Sequence, residues 1–280
     1  MKIVVLNDIH IGKALTSNGK VRASSHLIEE QLDRIFENIL EQHSPNLVVN
    51  LGDLIRSEGK EQDLKSYSEQ LARFKKFQAP VIHLVGNHEL KKLSLEEVEK
   101  VWINQGFKQR SYGSFELNDF LIIWLGLDLD VSVNPHGATL PKQQIEWLKR
   151  ELQSVKKKVL IFSHYALDDH DTTGNFFFEA MDNRSKAALF LHNQNEVIKI
   201  IRSCSQVKGV FQAHLHYFHV KMDQNVPYIT CPALGDNICA PKIIDNIPEI
   251  YTTIQLDQSK MVVKAYSGEF CFAGYEQSFN

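Results

Sequence analysis

The sequence contains little cysteine, no excess of positive charge and no long apolar run. Its cysteines (Cys204, Cys231, Cys239 and Cys271) lie in the last third of the chain without a CxxC pair, which argues against a zinc ribbon or a disulfide framework. A formal net charge of −3 gives no general basic field, so we do not expect nucleic-acid binding. No stretch approaches the ~20 apolar residues of a membrane helix, and the short apolar run after Met1 does not fit a secretory signal. We therefore expect a cytoplasmic protein with no membrane anchor.

The apolar residues that are present suffice for one large core. They make up 43% of the 280 residues, so we predict a single domain over residues 1–280. The first part alternates buried strands with amphipathic helices, in the order 3–6, 27–40, 46–51, 64–77 and 81–85. This β-α-β-α-β order predicts parallel strands joined by right-handed crossovers, which indicates an α/β fold class.

After residue 110 the pattern changes to shorter units. We predict a hairpin at 112–117 and 120–127, a helix from Pro141, and strands at 158–162, 207–211, 226–230, 250–256 and 261–266. The segment 165–195 is acidic, aromatic and weakly periodic. We predict that it is an insertion or a cap over the active site.

Polar side chains follow five of the predicted strands at the point where each strand ends. They are Asp8, His10, Asp53, Asn87, His88, His164, His214 and His216. The carboxyl ends of such strands present chemistry at one edge of a sheet. One Asp after Gly is usually a turn or cap residue, and one His at a strand end is usually incidental, but five such strand ends together favour a functional site.

The residue types indicate metal binding. Mixed carboxylate and imidazole ligands suit Mn, Fe or Zn better than Mg or Ca. One ion takes about four to six ligands, so seven candidates and a further histidine favour two divalent or trivalent ions.

The same residues carry a family resemblance. Asp8-x-His10, Gly52-Asp53, Gly86-Asn-His-Glu89, His164 and His214-x-His216 resemble, in order and spacing, the calcineurin-like metallophosphoesterase superfamily. The resemblance covers residues 3 to about 216. It implies a four-layer α/β/β/α sandwich of two mixed β-sheets.

The resemblance also implies roles for these residues. One metal would be held by Asp8, His10, Asp53 and His216, and the other by Asn87, His164 and His214, with Asp53 bridging. The implied reaction is phosphoester hydrolysis by a hydroxide that bridges the metals, with His88 as the general acid. Glu89 replaces the family's usual Asp and is expected to accept a hydrogen bond from His88. Ala213 replaces the usual Gly, at a position where a tight turn would favour glycine.

The expected substrate is a small phosphoester of the nucleotide type. Residues 191–201, 213–217 and 226–232 resemble the class III cyclic-nucleotide phosphodiesterases. Residues 137–148 are similar to a stretch shared with the manganese-dependent ADP-ribose/CDP-alcohol diphosphatases. Asn87 and His88 are the expected substrate contacts. Arg22 and Arg56 are weaker candidates, because a loop arginine is more often simply solvated.

Other functions stay open at this point. The same fold serves phosphomonoesterases and protein phosphatases, and nucleases, which the net charge disfavours. It also serves non-catalytic scaffolds such as the retromer subunit; a full ligand set together with His88 favours an enzyme. A homo-oligomer is compatible with the sequence.

Overall fold

The computed structural model describes residues 1–13, 15–17, 20–23, 25–129, 137–169, 171–175, 178, 181–182, 186, 189–235 and 249–279. For residues 15–17, 20–23 and 25–26 the description is limited to the backbone. Among the described residues, no helix has both the length and the apolar character that crossing a bilayer requires.

The described residues contain sixteen strands and six α-helices. The strands are β1 (Lys2–Leu6), β2 (Leu15–Ser17), β3 (Lys20–Ala23), β4 (Leu47–Asn50), β5 (Val81–His83), β6 (Gly113–Leu117), β7 (Phe120–Leu125), β8 (Asp128–Leu129), β9 (Ala138–Thr139), β10 (Lys158–Ser163), β11 (Val207–Gln212), β12 (His219–Asp223), β13 (Val226–Thr230), β14 (Ile250–Leu256), β15 (Lys260–Ser267) and β16 (Phe270–Ser278). The helices are α1 (Ser25–His43), α2 (Lys60–Arg73), α3 (Asn87–Leu90), α4 (Leu95–Asn104), α5 (Lys142–Ser154) and α6 (Gln194–Arg202).

Two six-stranded sheets form the framework. The first has the order β16-β15-β14-β1-β4-β5, in which β1, β4 and β5 are parallel and β14 to β16 run antiparallel to their neighbours. The second has the order β12-β13-β11-β10-β7-β6, in which β7, β10, β11 and β13 are parallel. Both sheets are therefore mixed.

The alternation of side chains explains the layering. Along β1, Ile3 and Val5 belong to a buried cluster that includes Phe162 and Phe211 of the second sheet, so the two sheets pack face to face. The alternate residue Val4 lies in another cluster with apolar residues of α1, α2, α5 and α6. Because both faces of the central strands are buried, the strands read as unbroken apolar runs. The predicted α/β/β/α sandwich is confirmed.

Several predicted elements are observed with modest shifts in their ends. Helix α4 starts with a capping box, in which Glu97 N donates to Ser94 Oγ over 3.2 Å and Ser94 N donates to Glu97 Oε2 over 2.9 Å. The helix predicted at 64–77 begins at Lys60, and residues 74–76 form a 3-10 turn. The short pairs β2/β3 and β8/β9, and the strands β12 and β16, were not predicted.

The described part of the 165–195 segment packs on the second sheet. Ala166 and Leu189 form a small buried cluster with Leu215, which lies just after β11. Isolated bridges join Ala166 to Phe190 and Ala138 to Leu191. The assignment of 165–195 as an insertion or cap, within one domain of residues 1–280, stays a prediction.

Candidate metal centre

The carboxyl ends of the parallel strands meet at one edge of the sandwich. Asp8 and His10 follow β1, and Asp53 follows β4. The two strand extensions are paired, because Asp8 N donates to Gly52 O and His10 N donates to Asp53 O, each over 3.0 Å. In the second sheet, Ala213 N donates to His164 O over 2.9 Å, which fixes the end of β11 beside the end of β10.

Five of the candidate ligands have an unusual backbone conformation. Asp8, His10, Asp53, His214 and His216 have φ angles between 49° and 66°, and they account for five of the nine non-glycine residues with positive φ in the described chain. Such conformations cost roughly 1–3 kcal/mol each and concentrate at functional sites. The strain is therefore gathered at this edge of the sandwich.

Gly52 and Gly86 lie so close to neighbouring atoms that a side chain would not fit at either position. A Cβ on Gly86 would lie 2.2 Å from Asp53 Oδ1, and a Cβ on Gly52, whose φ is 105°, would lie 2.6 Å from the Gly86 nitrogen. Ala213 is not among the described residues with positive φ. Its methyl group therefore causes no backbone strain, and the tight turn expected at this position does not require glycine.

The seven candidate ligands converge. His216 Nε2 lies 3.3 Å from both Asp8 Oδ1 and His10 Nε2, and His10 Nε2 lies 3.8 Å from Asp53 Oδ2. On the other side of Asp53, His164 Nε2 lies 3.5 Å from Asp53 Oδ2 and 3.2 Å from Asn87 Oδ1. The groups Asp8-His10-His216 and Asp53-His164-His214 each bring their ligand atoms within 4.8 Å of one another. Asp53 belongs to the second group and also lies near His10 of the first, so it connects the two groups.

The electrostatics of these residues fit metal ligands. Burial raises the pKa of Asp53, but His164 and His88 outweigh it and hold that pKa well below its usual value. Burial lowers the pKa of His214 to about 3, and His164 adds to this shift. Burial likewise lowers the pKa of His10. Metal ligands are ionised carboxylates and neutral imidazoles, so the donor set of this site fits cations.

His164 differs from His10 and His214, because its acidic neighbours favour the charged imidazole. Burial lowers the pKa of His164, but Asp53 and Asp8 outweigh burial and raise it to about 9. Its Nδ1 donates to the carbonyl of Leu51 over 2.9 Å, so Nε2 faces Asp53. A cation at this point would take the place of the proton on Nε2.

Supporting residues that the sequence reasoning missed lie directly behind the ligands. Asn7 Nδ2 donates to Asp8 Oδ2 over 2.7 Å, and His214 N donates to the same oxygen over 3.1 Å. The Tyr165 ring stacks on His214, with ring centroids 4.1 Å apart. The position of Asn7, immediately before Asp8 at a strand end, is the only sequence signal for these roles.

Glu89 does not contact His88 in the way that we expected. Its two carboxylate oxygens accept from four backbone amides: Gly86, Asp53, Leu54 and Ile55, at 2.8, 3.0, 2.8 and 3.3 Å. The side chain is fully buried. The prediction that His88 donates a hydrogen bond to Glu89 is therefore wrong, because the four backbone amides occupy both carboxylate oxygens of Glu89. Glu89 fastens the loop after β4 to the loop after β5.

His88 lies next to the ligand cluster. Its backbone N donates to Asp53 Oδ1 over 2.7 Å, and its ring lies 4.5 Å from the His10 ring between centroids. Burial lowers the pKa of His88 to about 4, so the ring is neutral at pH 7. Lys91 Nζ lies 3.0 Å from Nε2 and can only donate. Nδ1 therefore carries the ring proton.

The structure describes the side chain of Arg56 but not that of Arg22. Arg22 is in β3, and its side chain lies outside the described residues. Arg56 is three residues after Asp53 and partly buried, and its backbone N donates to Ile11 O over 2.8 Å. Its charge acts on His88. Arg56 therefore borders the site.

Comparisons with known proteins agree with these motifs. The chain is similar to a "Probable glycerophosphodiester phosphodiesterase GpdQ" from Arcobacter nitrofigilis, with 29% identity over 168 residues, which cover 59% of this chain and 57% of the relative. The match thus spans little more than half of the length of that relative.

Solved structures share the fold at low identity. A dimetal phosphatase from Danio rerio has a TM-score of 0.77 at 15% identity and covers 100% of this chain and 99% of its own. GAP50, the anchor in the inner membrane complex of Plasmodium, has a TM-score of 0.57 at 11% identity and covers 100% and 88%. The family model for calcineurin-like phosphoesterases matches residues 1–218. With this match over most of its length, the chain belongs to the calcineurin-like phosphoesterase family.

Proposed function

We propose that this chain is a metal-dependent phosphodiesterase with two metal ions that acts on a nucleotide-type phosphoester. The observation that carries the proposal is the pair of candidate ligand groups that Asp53 connects, with His88 beside them. The similarity to a probable phosphodiesterase supports diester hydrolysis. The nucleotide part rests on the resemblance of the 191–232 region described above.

The ligand set proposed for the ions follows the two groups. Asp8, His10, Asp53 and His216 would hold one ion, and Asp53, Asn87, His164 and His214 the other, with Mn, Fe or Zn as the candidates. Bound ions of this kind supply a nucleophile from water at neutral pH and stabilise negative charge on phosphoryl oxygens. Asn7, Leu51 and the His214 amide keep the ligands oriented.

His88 is the proposed proton donor to the leaving oxygen. Asp53 accepts a hydrogen bond from the His88 backbone N, and Glu89 binds the amide of Gly86 two residues earlier, so the backbone of His88 is held in place. The negative charge of a bound phosphoryl group favours the charged imidazole and so raises its pKa. A positioned general acid contributes about 10²–10⁴ in rate.

The test compares a diester with a monoester. We expect the protein loaded with manganese, iron or zinc to hydrolyse bis-p-nitrophenyl phosphate faster than p-nitrophenyl phosphate. The variant His88→Ala should lose about 10²–10⁴ in turnover while its metal content, measured by elemental analysis, stays the same. A preference for the monoester would favour a phosphomonoesterase or protein phosphatase. Full metal content without turnover would favour a scaffold.

A panel of nucleotides tests the substrate class. Cyclic AMP, ADP-ribose, CDP-choline and diadenosine polyphosphates cover the proposed range, with simple monoesters as controls. Hydrolysis of none of the nucleotides, together with turnover of the synthetic diester, would overturn the nucleotide part alone. A cytoplasmic location and a homo-oligomer stay predictions.

A further inference from the structure

An open groove lies at the edge of the second sheet opposite to the candidate metal centre. Its volume is about 710 Å³, which is within the range of roughly 300–1,000 Å³ that small-molecule sites occupy. Lys158 begins β10 and lines the groove, whereas His164 follows the other end of that strand. The six residues of β10 span roughly 17 Å, at about 3.3 Å per residue, so the groove is separate from the metal centre.

The pairing of two strands gathers four lysines at this groove. Residues 156–158 are three lysines that lead into β10, and Lys208 is the second residue of β11. The two strands are parallel neighbours, with Val159 opposite Val207. Their starts therefore lie side by side, and all four lysines line the groove.

One of the four lysines is compensated by a nearby carboxylate. Lys157 Nζ lies 2.6 Å from Glu116 Oε2 and also donates to Asn118 O over 3.0 Å. Asp119 supplies the one carboxylate among the described residues that line the groove, and it makes no ion pair with a described lysine. The groove therefore keeps a local positive charge in a chain whose formal net charge is −3.

The other three lysines make no ion pair with any described carboxylate. Lys208 Nζ donates to the backbone carbonyl of Ser205 over 2.9 Å. Lys158 Nζ lies 5.5 Å from the centroid of the Phe279 ring, and Lys156 is exposed. A carbonyl or an aromatic face orients an ammonium group but leaves its positive charge available to an anion.

The rest of the described lining consists of uncharged polar side chains. Ser205, Gln206 and Gln258 supply a hydroxyl and two amides, all of which can donate hydrogen bonds to an oxyanion. The described lining contains no apolar side chain, whereas protein partners usually place aromatic or aliphatic anchors in apolar pockets. The groove therefore suits a small hydrophilic anion better than a protein segment.

We propose that this groove binds a small molecule that carries several clustered phosphate groups. Lysine is a common ligand of phosphate, to which its ammonium group binds as a point charge. A ligand with several such groups would join the three uncompensated lysines and relieve the repulsion between them. The inference concerns binding alone, and it does not depend on the reaction proposed for the metal centre.

Titration calorimetry of the manganese-loaded protein with sucrose octasulfate tests the site. This probe clusters sulfate groups, which share the tetrahedral shape and the negative charge of phosphates, and it contains no phosphoester that the metal centre could hydrolyse. We expect binding that weakens as salt is added, because salt screens exposed charges. In the double variant Lys156→Gln/Lys208→Gln we expect about 10-fold weaker binding, with about 3-fold from each exposed charge. Absence of binding to the unaltered protein would overturn the proposal.

Two lysines outside the groove provide a matched control. Lys65 of α2 and Lys100 of α4 are exposed, so Lys65→Gln/Lys100→Gln removes the same charge from the surface. We expect this variant to bind the probe as tightly as the unaltered protein. Equal weakening in the two double variants would mean that the probe responds only to net charge, and the proposal would then fail.

Lysine acetylation followed by mass spectrometry locates the bound probe without any variant. We expect the probe to slow acetylation of Lys156, Lys158 and Lys208 and to leave Lys65 unaffected. Protection of Lys91, beside the metal centre, without protection at the groove would assign the probe to the metal centre and overturn the proposal. Equal protection of the groove lysines by hexaglutamate would assign the groove to an acidic protein segment, which would also overturn a small-molecule site.

Discussion

At the scale of single residues, Glu89 organises a site whose metals and substrate it would not touch. Four amides, from residues 53–55 and from Gly86, donate to its carboxylate. Burial and the charge of Asp53 raise the pKa of Glu89 to about 7, although the Gly86 and Ile55 amides oppose the shift. Both the bridging candidate Asp53 and the proton-donor candidate His88 depend on the loops that it joins.

Replacing Glu89 by Asp, the residue that is usual in the family, tests whether the longer side chain is needed to reach the four amides. In Glu89→Asp the carboxylate is withdrawn by about 1.5 Å and cannot reach all four amides. We expect a loss of about 1–3 kcal/mol in the free energy of unfolding, measured by urea denaturation, and weaker metal binding. Glu97→Asp, at an exposed capping box, should cost much less. Unchanged stability of Glu89→Asp would contradict the role of Glu89 in joining the two loops.

His83 is a buried histidine that is not among the candidate metal ligands. It lies against the rings of Phe74 and Phe107, at centroid distances of 4.9 and 4.4 Å, and Asn50 Nδ2 lies 3.3 Å from its Nδ1. Burial lowers its pKa to about 3. The unfolded chain would take up a proton near pH 6.5, whereas the folded chain would not do so until about pH 3.

His83 should therefore contribute to loss of stability in acid. The unfolded state binds more protons below pH 6.5, so the free energy of unfolding falls as the pH falls. Relative to His83→Leu, the unaltered protein should lose about 2 kcal/mol between pH 7 and pH 5, measured by denaturant titration of both proteins without metal. Other titrating groups cancel in this difference. Identical pH profiles would show that His83 is not the group responsible.

At the scale of elements, the loops need anchors that lie far away in the sequence. Asn175, within the 165–195 segment, donates from Nδ2 to the carbonyl of Leu215 over 2.7 Å in a buried position. Leu215 separates His214 from His216. The segment thus supports the loop that carries two candidate ligands.

Removing this anchor should weaken metal binding. In Asn175→Ala the Leu215 carbonyl loses its donor, and we expect metal affinity to fall about 10–100-fold, as measured by competition with a chelator. Asn193→Ala is the matched control, because Asn193 Nδ2 likewise donates to a backbone carbonyl, that of Leu140, over 2.8 Å. Asn193 Oδ1 also accepts from Leu140 N over 3.0 Å. It should lose stability but keep its metal affinity. Equal affinities in both variants would refute the anchoring role.

The elements also show what the sequence could and could not predict. The central strands were predictable because both faces are buried and the chain is apolar throughout, as in β1 and β4. Because the candidate ligands come directly after these strands in the sequence, their places at the strand ends could be predicted as well. β16 was missed because it is a largely exposed edge strand without an apolar pattern. The anchors Glu89 and Asn175 were not predictable, because their partners are backbone groups whose positions depend on the complete fold.

At the scale of the whole molecule, the candidate ligands come from both sheets. The first sheet supplies Asp8, His10, Asp53 and Asn87, and the second supplies His164, His214 and His216. The contacts between Asp8 and His216 at 3.3 Å, and between Asp53 and His164 at 3.5 Å, cross from one sheet to the other. Bound ions would therefore join the two sheets.

Metal removal should accordingly lower stability. A ligand present at 100 times its dissociation constant adds about 2.7 kcal/mol to the free energy of unfolding, so manganese should raise Tm and a chelator should reverse the increase. The increase should disappear in Asp53→Asn. It should persist in Asp63→Asn, because Asp63 is equally buried but accepts hydrogen bonds from the amides of Glu58 and Gly59 and from Ser57 Oγ instead of facing the candidate ligands. A Tm insensitive to manganese would contradict ligation across the sheets.

The position of these ligands at the junction of the two sheets has a consequence for the amount of protein in a cell. Copies made during metal scarcity would unfold more often, and proteases degrade unfolded chains. Metal supply would then regulate the abundance of the protein as well as its turnover.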